Sequence, residues 1–223
     1  NITRDDITAV WSGLRPLVRN TDGTTAKGKT SDLSRKHQVR ISDAGMISIT
    51  GGKLTTYRKM AEHAVDAASK QLGNNARCRT KRLAFVGARG FRQSMLSGKD
   101  ASLVERFGAE FTRINELVTQ DPRLSEPLIS GLPYIKAEAI FAVRNEMART
   151  LDDVLTRRTR ARIINRPAAL ASARSVAELI APELKWSLTE ITKQVTDFVD
   201  SCARELDAAM VSEAEFVQST TIS

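Results

Sequence analysis

A glycine pair followed by a lysine stands where a predicted strand meets a predicted helix. The segment reads Gly51, Gly52, Lys53, Leu54, Thr55 and Thr56. Adjacent glycines let the backbone come close to a ligand. The N-terminus of the following helix offers free N–H groups and the positive end of its dipole, and Lys53 adds a full positive charge. The segment therefore predicts a site for an anion such as a phosphate. The alternative is a plain strand-to-helix turn with a lysine facing solvent.

Two arginines and a histidine earlier in the chain are further candidates. Arg15 lies beside Pro16 in an otherwise apolar pentapeptide, and a guanidinium in that setting predicts an anionic partner, because its fork matches phosphate oxygens. Arg35 precedes a predicted hairpin, and its alternative is an ordinary surface role. His37 is a candidate general base, because histidine titrates near neutral pH. The alternative for His37 is capping or pairing at the start of a strand.

A basic cluster occurs later in the chain, at Arg157, Arg158 and Arg160. The spacing favours ion pairs within the fold, with partners at Asp152, Asp153 and Glu146. The alternative is contact with acidic lipid headgroups or with a partner domain.

One acidic residue lies near the apolar face of a predicted helix. This residue is Glu138, and we expect it to pair with Arg144 or Arg157 across the helices.

The elements that position the first candidates form a small α+β segment. Alternating polar and apolar residues at 37–42 and 46–50, separated by Asp43-Ala44-Gly45, predict a β-hairpin. Apolar residues at helical spacing predict a helix over about 55–72, which Gly73 ends. A short helix is predicted at 5–10, and a loop at 20–32.

The rest of the chain predicts helices. Capping boxes at Ser102–Glu105 and Ser187–Glu190 each predict a helix start, the second helix reaching about residue 210. An amphipathic helix is predicted over 134–150, a continuous helix or a kinked pair over 152–164, and a further helix over 168–180. The fold class is therefore mainly α, a helical bundle preceded by a hairpin plus a helix. The predicted domains are 1–80 and 81–210, followed by a polar tail at 211–223.

Composition excludes several classes of protein. The 223 residues carry a formal charge of +8 with only two cysteines and two histidines. A His/Cys metal site and a disulfide framework are therefore not expected, and the chain is predicted to be intracellular. Acidic residues are interspersed with the basic ones, which disfavours nucleic-acid binding. The chain starts without Met and without a signal-peptide pattern, so we expect it to be part of a longer protein.

Ordered motifs along nearly the whole chain resemble those of the flavin-dependent glycerol-3-phosphate dehydrogenases. The motifs are Gly13-Leu14-Arg15-Pro16-Leu17, Ser34-Arg35-Lys36-His37, Gly51 to Glu62, Leu132-Pro133-Tyr134, Ala142 to Leu155 and Arg157-Arg158-Thr159-Arg160. The later motifs resemble that family's helical C-terminal domain. Residues 1–80 would then be a remnant of the domain that binds FAD and substrate.

The resemblance implies an enzyme that binds FAD and oxidises sn-glycerol 3-phosphate to dihydroxyacetone phosphate, with electrons passed to a membrane quinone. Arg15 and Arg35 match positions at the substrate phosphate and active site, and Lys53 to Thr56 match the segment beside the flavin ring. The implied location is cytoplasmic, peripherally attached to the inner face of the cell membrane. No nucleic acid is implied, and oligomers are possible.

The sequence departs from the family in one respect. No Gly-x-Gly-x-x-Gly fingerprint follows a strand. The pyrophosphate site is therefore expected upstream, and the chain alone is expected neither to hold FAD tightly nor to catalyse. Two alternatives stay open. One is a glycerol-3-phosphate oxidase that uses oxygen, and the other is a non-catalytic basic helical module that binds partners, lipid or nucleic acid.

Overall fold

The computed structural model describes Gly13, residues 37–98 and residues 100–209 of the chain. Several predicted features lie outside the described residues: the helix at 5–10, the loop at 20–32, Arg15, Arg35 and the tail at 211–223. The chain divides into two units between Phe85 and Val86.

Most of the secondary structure is helical, and the predicted mainly α fold is confirmed. The strands are β1 (Gln38–Ile41) and β2 (Ile47–Thr50). The α-helices are α1 (Tyr57–Gln71), α2 (Ala101–Phe107), α3 (Phe111–Gln120), α4 (Lys136–Asn145), α5 (Ala161–Ile164), α6 (Arg166–Leu184) and α7 (Leu188–Ala209). Short 3-10 turns occur at Leu54–Thr56, Thr80–Arg82, Gln93–Ser97, Gly108–Glu110 and Pro122–Ser125, and a π-helix at Asp153–Arg158.

The predicted hairpin forms in the first unit. Strands β1 and β2 pair antiparallel, with Gln38 opposite Thr50 and Ile41 opposite Ile47. The turn closes through a 2.8 Å hydrogen bond from the Gly45 N–H to the Ser42 carbonyl. Gly45 has a φ of +81°, which favours glycine. The turn therefore fixes the register that carries β2 into the glycine pair.

Helix α1 packs against the hairpin and ends where predicted. Gly73 has a φ of +70° and donates to the Lys70 carbonyl, and Asn74 donates to the Ser69 carbonyl. These bonds form a Schellman motif, which satisfies the last carbonyls of the helix.

The first unit has little core of its own. Among residues 37–85, no side chain is fully buried, and Leu54, Leu72 and Phe85 are 88, 83 and 74% exposed. A two-stranded hairpin is only marginally stable by itself. The local hydrogen bonds of its turns therefore have a large share in holding this unit together.

The second unit has two hydrophobic clusters that meet at α4. One cluster joins α2, α3 and α4 around Ile114 and Phe141. The other joins α4, α6, α7 and the π-helix around Leu151, Val176, Ile180 and Phe198. Every residue of α4 from 137 to 143 is buried. A helix that is apolar all round must lie inside a core, so α4 is the central helix of this unit.

The prediction of a long amphipathic helix at 134–150 is therefore wrong. Its observed extent is Lys136–Asn145, and the chain leaves the helix at Met147, whose φ is +60°. The segment at 152–164 is the kinked pair, a π-helix followed by α5, with Arg160 at a φ of +54°. Helix α6 is longer than predicted, because Asn165 caps it by accepting from the Ala168 N–H.

Only one of the two predicted capping serines acts as a cap. Ser187 accepts a hydrogen bond from the Glu190 N–H at 3.2 Å, so α7 starts as expected. The prediction for Ser102 is wrong, because α2 already begins at Ala101 and the Ser102 hydroxyl accepts from Arg106 instead.

A buried ion pair locks α2 to α4. Glu138 is 3% exposed, and its carboxylate accepts hydrogen bonds from the Nε and Nη2 atoms of Arg106 at 3.1 and 2.8 Å. The same carboxylate also accepts from the Ile135 N–H at 3.0 Å. The predicted partners were wrong: Arg144 pairs with Glu183, and Arg157 pairs with the aspartates beside it. Burial raises the pKa of Glu138, and the Ile135 N–H and Arg106 offset only part of that rise.

A second charged network holds α7 against α5 and α6. Arg162 is 8% exposed; its guanidinium pairs with Glu205 and donates to the Ser201 hydroxyl and carbonyl, both at 2.9 Å. Arg166, one turn further along, also pairs with Glu205 at 3.2 Å. Such a buried network costs much to break, because removal of one member leaves the others without partners.

We expect Glu138→Ala to lower the free energy of unfolding of the helical unit by about 3 kcal/mol, because it strands Arg106 and the Ile135 N–H. Glu138→Gln keeps one acceptor oxygen but sets an amide N–H donor against a donor of Arg106, so it should cost about 2 kcal/mol, less than Glu138→Ala. Urea unfolding measures both, and Glu126→Ala, which removes the exposed pair with Lys136, is the matched control at less than about 1 kcal/mol.

The pH dependence of the same residue has a definite sign. Because the folded-state pKa of Glu138 is raised, its contribution to stability is fully present at low pH and is lost as pH rises through that raised pKa. Glu138→Gln should remove this part of the pH dependence. A variant that keeps the wild-type slope would show that burial of this carboxyl does not govern it.

Candidate functional site

The hairpin register brings two of the predicted site segments together. His37 directly precedes β1, and Gly51 directly follows β2. Because Gln38 pairs with Thr50, the open end of the hairpin places His37 next to the glycine pair. His37 and Gly51, fourteen positions apart in the sequence, thereby lie side by side.

Gly52 is required by its packing as well as by its backbone angle. Its φ is +88°. A Cβ at this position would lie 2.5 Å from the Met60 Sδ and 3.3 Å from the His37 Cβ. The sequence predicted that the missing side chain admits a ligand; at Gly52 the space is taken by the chain's own Met60 and His37. Gly51 also has a left-handed φ, of +76°.

Thr56 closes a tight turn around Lys53. The Thr56 hydroxyl donates to the Lys53 carbonyl at 3.0 Å and accepts from the Lys53 N–H at 3.2 Å, while the Thr56 N–H donates to the same carbonyl at 2.9 Å. The helix therefore starts with the 3-10 turn Leu54–Thr56, and α1 begins at Tyr57. These bonds hold the backbone of Lys53 while its side chain stays exposed.

The turn leaves donors and a positive charge available to an anion. None of the described hydrogen bonds uses the N–H groups of Leu54 and Thr55. No carboxylate in the described part of the chain forms a salt bridge with Lys53. Free amides at the start of a helix together with a cation suit a phosphate or the anionic edge of a ring.

Helix α1 places a second histidine, His63, beside His37. The Nε2 atom of His37 lies 2.7 Å from the Nδ1 atom of His63. Met60, which fills the space beside Gly52, is one turn earlier on the same helix face. Sequence reasoning did not select Met60 or His63 as site residues. Their spacing of three on a helix that follows a hairpin was the available signal.

The neighbouring face of α1 carries a charged clasp, the group of contacts that Glu62 and Thr80 make with Arg58 and Lys59. Glu62 accepts from Lys59 at 2.9 Å and from Arg58 at 2.7 Å, and Arg58 also donates to the Thr80 hydroxyl at 3.2 Å. The hydrogen bonds from Lys59 and then Arg58 lower the pKa of Glu62. This clasp ties the segment after α1 to the helix that carries His63.

Two of the three arginines of the basic cluster in the second unit, Arg157 and Arg158, are engaged within the fold, as favoured from the sequence. Arg157 pairs with Asp152 and Asp153, the latter at 2.9 Å, and Arg158 lies 3.8 Å from the Glu146 carboxylate. These contacts support a structural role for the cluster.

Two kinds of feature are absent from residues 37–98 and 100–209. His, Cys, Asp and Glu side chains form no group of three or more there that could hold a metal ion. No helix in that part is both long and apolar enough to cross a membrane.

Alanine at Gly52 tests the close packing of the site. Gly52→Ala should lower the free energy of unfolding by more than Gly73→Ala does, because both positions are left-handed but only Gly52 meets side chains within 4 Å. The left-handed strain costs about 1–2 kcal/mol at both positions, and the contact at Gly52 adds about 1 kcal/mol, the low end for overpacking, because the flexible end of Met60 can shift. The double variant Gly52→Ala/Met60→Ala should recover part of the added loss. Equal losses at Gly52 and Gly73 would contradict the packing.

Removal of the Thr56 hydroxyl tests the turn at Lys53. We expect Thr56→Val to cost about 1 kcal/mol locally, which corresponds to roughly five-fold faster hydrogen exchange at the Lys53 amide. Thr55→Val is the matched control, because no described hydrogen bond uses its hydroxyl. Equal exchange rates in the two variants would show that Thr56 does not brace the turn.

Comparison with known proteins places the chain in a family. The family model for the C-terminal domain of alpha-glycerophosphate oxidase matches residues 78–191. Glycerol-3-phosphate dehydrogenase 2 of Mycobacterium tuberculosis is 32% identical over 227 residues, which cover 96% of this chain and 37% of the relative. The mitochondrial glycerol-3-phosphate dehydrogenase of Mus musculus is 37% identical over 208 residues, which cover 86% of this chain and 28% of the relative.

A solved structure has the same fold. The glycerol-3-phosphate dehydrogenase from Bacillus halodurans, complexed with FAD, superposes with a TM-score of 0.72 at 26% identity, covering 95% of this chain and 43% of that one. The chain thus spans little more than a third of the length of the M. tuberculosis relative. With the matches running through both of its units, the chain belongs to the glycerol-3-phosphate dehydrogenase family and corresponds to its C-terminal portion.

Proposed function

We propose that this chain is the C-terminal part of an FAD-dependent glycerol-3-phosphate dehydrogenase. The whole enzyme would oxidise the C2 hydroxyl of sn-glycerol 3-phosphate to the ketone of dihydroxyacetone phosphate. The observation that carries the proposal is the match over 95% of the chain to a glycerol-3-phosphate dehydrogenase complexed with FAD. The local structure supports it independently, because the turn at Lys53 offers unused backbone amides and an exposed cation, groups that suit an anion.

The residues at this turn fit a flavin. The unused amides of Leu54 and Thr55 and the exposed cation of Lys53 are donors for the electron-rich pyrimidine edge of the ring. The left-handed backbone at Gly51 and Gly52 carries the chain from β2 into this turn. FAD, when bound, supplies a two-electron acceptor for a hydride. The rest of its site, including a pyrophosphate fingerprint, would lie in the part of the enzyme upstream of this chain.

The substrate would be held by positive charge. Arg15 and Arg35 are proposed to bind the phosphate of glycerol 3-phosphate, as their motifs imply, although both lie outside the described residues. His37 is proposed to take the proton of the C2 hydroxyl, because an imidazole can accept a proton near neutral pH. The isolated chain is proposed to be inactive, since it has only one side of this site.

The electron acceptor is proposed to be a quinone, with the enzyme attached to the cytoplasmic face of the cell membrane. A second candidate is an oxidase that passes electrons to oxygen, because the matching family model is named for alpha-glycerophosphate oxidase. Stopped-flow reoxidation of the reduced full-length enzyme separates the two. Slow reaction with oxygen and fast reaction with a soluble quinone analogue support the dehydrogenase, and the reverse order supports the oxidase.

Charge removal at Lys53 tests the proposed role of the turn. In the full-length enzyme, Lys53→Met should lower kcat/KM for glycerol 3-phosphate by about 100-fold, the effect of losing one donor at a developing negative charge. Lys59→Met is the matched control, because Lys59 is an exposed lysine whose described ion pair is with Glu62, and its kcat/KM should stay unchanged. Unchanged kcat/KM in Lys53→Met would show that this turn is not part of the active site.

A further inference from the structure

The only two histidines of the chain form a pair. The His37 Nε2 and His63 Nδ1 atoms are 2.7 Å apart, and the ring centroids are 4.9 Å apart with a tilt of 43°. This distance lies in the hydrogen-bond range for two ring nitrogens, and the contact is exposed to solvent. Twenty-six residues separate the two positions, so the contact depends on tertiary packing.

Packing on two sides holds the pair in place. The hairpin register fixes His37 beside the glycine pair, where its Cβ would lie 3.3 Å from a Cβ at residue 52. Met60, one turn before His63, fills the other side of the same space. Helix α1 and the hairpin therefore cannot slide past each other without breaking the contact between the rings.

The hydrogen bond occupies one nitrogen of each ring, Nε2 of His37 and Nδ1 of His63. One ring must supply an N–H and the other a lone pair. His37 can act as a base only through its free Nδ1 atom, which must then carry a lone pair. Its proton must consequently sit on Nε2, donated to His63 Nδ1. This is the arrangement in which one group fixes the tautomer of a catalytic imidazole.

We propose that His63 is a positioning residue, which accepts the Nε2 proton of His37 and so presents the His37 Nδ1 lone pair to the substrate hydroxyl. The proposal rests on the proposed function for the role of His37. In the step concerned, the O–H bond of the C2 hydroxyl breaks and its proton goes to His37 Nδ1. The C2–H bond breaks, its hydrogen leaves with the electron pair as a hydride for which oxidised FAD would be the acceptor, and the C=O bond forms. The Nε2 proton stays on His37, bonded to neutral His63.

Nearby charges do not compete for His63. Glu62, the preceding residue, is engaged by Lys59 and Arg58. Asp66, one turn later, is exposed to solvent. Among the described residues, His37 is the hydrogen-bond partner that the structure gives to the His63 ring.

The test compares two substitutions at His63 in the full-length enzyme. The side-chain oxygen of His63→Asn can stand where Nδ1 stands and accept the same proton, whereas His63→Leu fills the volume without an acceptor. We expect kcat to fall by at least about 10-fold in His63→Leu and by less than about three-fold in His63→Asn, with KM little changed in both. Asp66→Asn controls for changes on the same helix and should match the wild type.

A spectroscopic readout separates this proposal from the proposed function. With 15N-labelled histidine, the wild-type enzyme should show His37 with its proton on Nε2, and His63→Leu should lose that preference. A proton on His37 Nδ1 in the wild type, or equal kcat in His63→Leu and the wild type, would overturn the proposal. If the Nε2 proton is found but glycerol 3-phosphate is not oxidised, then the proposed function fails and the positioning role of His63 fails with it, while the hydrogen bond stands.

Discussion

The contact of the Gly52 backbone with Met60 and His37 is the constraint on which the candidate site depends. A Cβ at Gly52 would overlap the Met60 sulfur and lie 3.3 Å from the His37 Cβ, so the Met60 side chain would have to shift. Met60 and His63 lie one turn apart on α1, so the packing at Gly52 and the contact between the two histidine rings depend on the same placement of this helix against the hairpin. The glycine pair thus serves two purposes. Its left-handed backbone turns the chain from β2 towards α1, and the missing side chain at Gly52 lets Met60 of that helix pack closely.

The two units are stabilised in different ways. The helical unit has fully buried apolar clusters and buried charges with satisfied partners, among them Glu138 with Arg106 and Arg162 with Glu205. The hairpin unit has no fully buried side chain among residues 37–85, and its shape is maintained by turns, a helix cap and the clasp around Glu62. A unit of this kind suits a ligand site, because its hydrogen-bond donors stay accessible to solvent. The positions of those donors depend on a few local hydrogen bonds in the turns.

Local signals in the sequence were sufficient to predict the helices, strands and turns. They were insufficient to predict which side chains pair across those elements. The turn at Gly45, the helix end at Gly73 and the cap at Ser187 follow from residue type and spacing alone, and all three are observed. The length of α4 was overestimated, because its burial on every side removes the periodicity on which the prediction relied. The pairing of Glu138 with Arg106 joins residues 32 positions apart, and that of His37 with His63 joins residues 26 apart. Such contacts depend on how helices pack, which the local pattern does not contain.

Hydrogen exchange of the Gly52–Tyr57 segment in the full-length protein, with and without bound FAD, tests the central claim most directly. The Leu54 and Thr55 amides have no acceptor among the described hydrogen bonds, so a flavin against this turn should provide one. We predict that FAD slows exchange in this segment at least about ten-fold, while the Gly73–Asn74 helix end is unchanged. FAD binding that leaves Leu54 and Thr55 exchanging as fast as in the apoprotein would contradict the account.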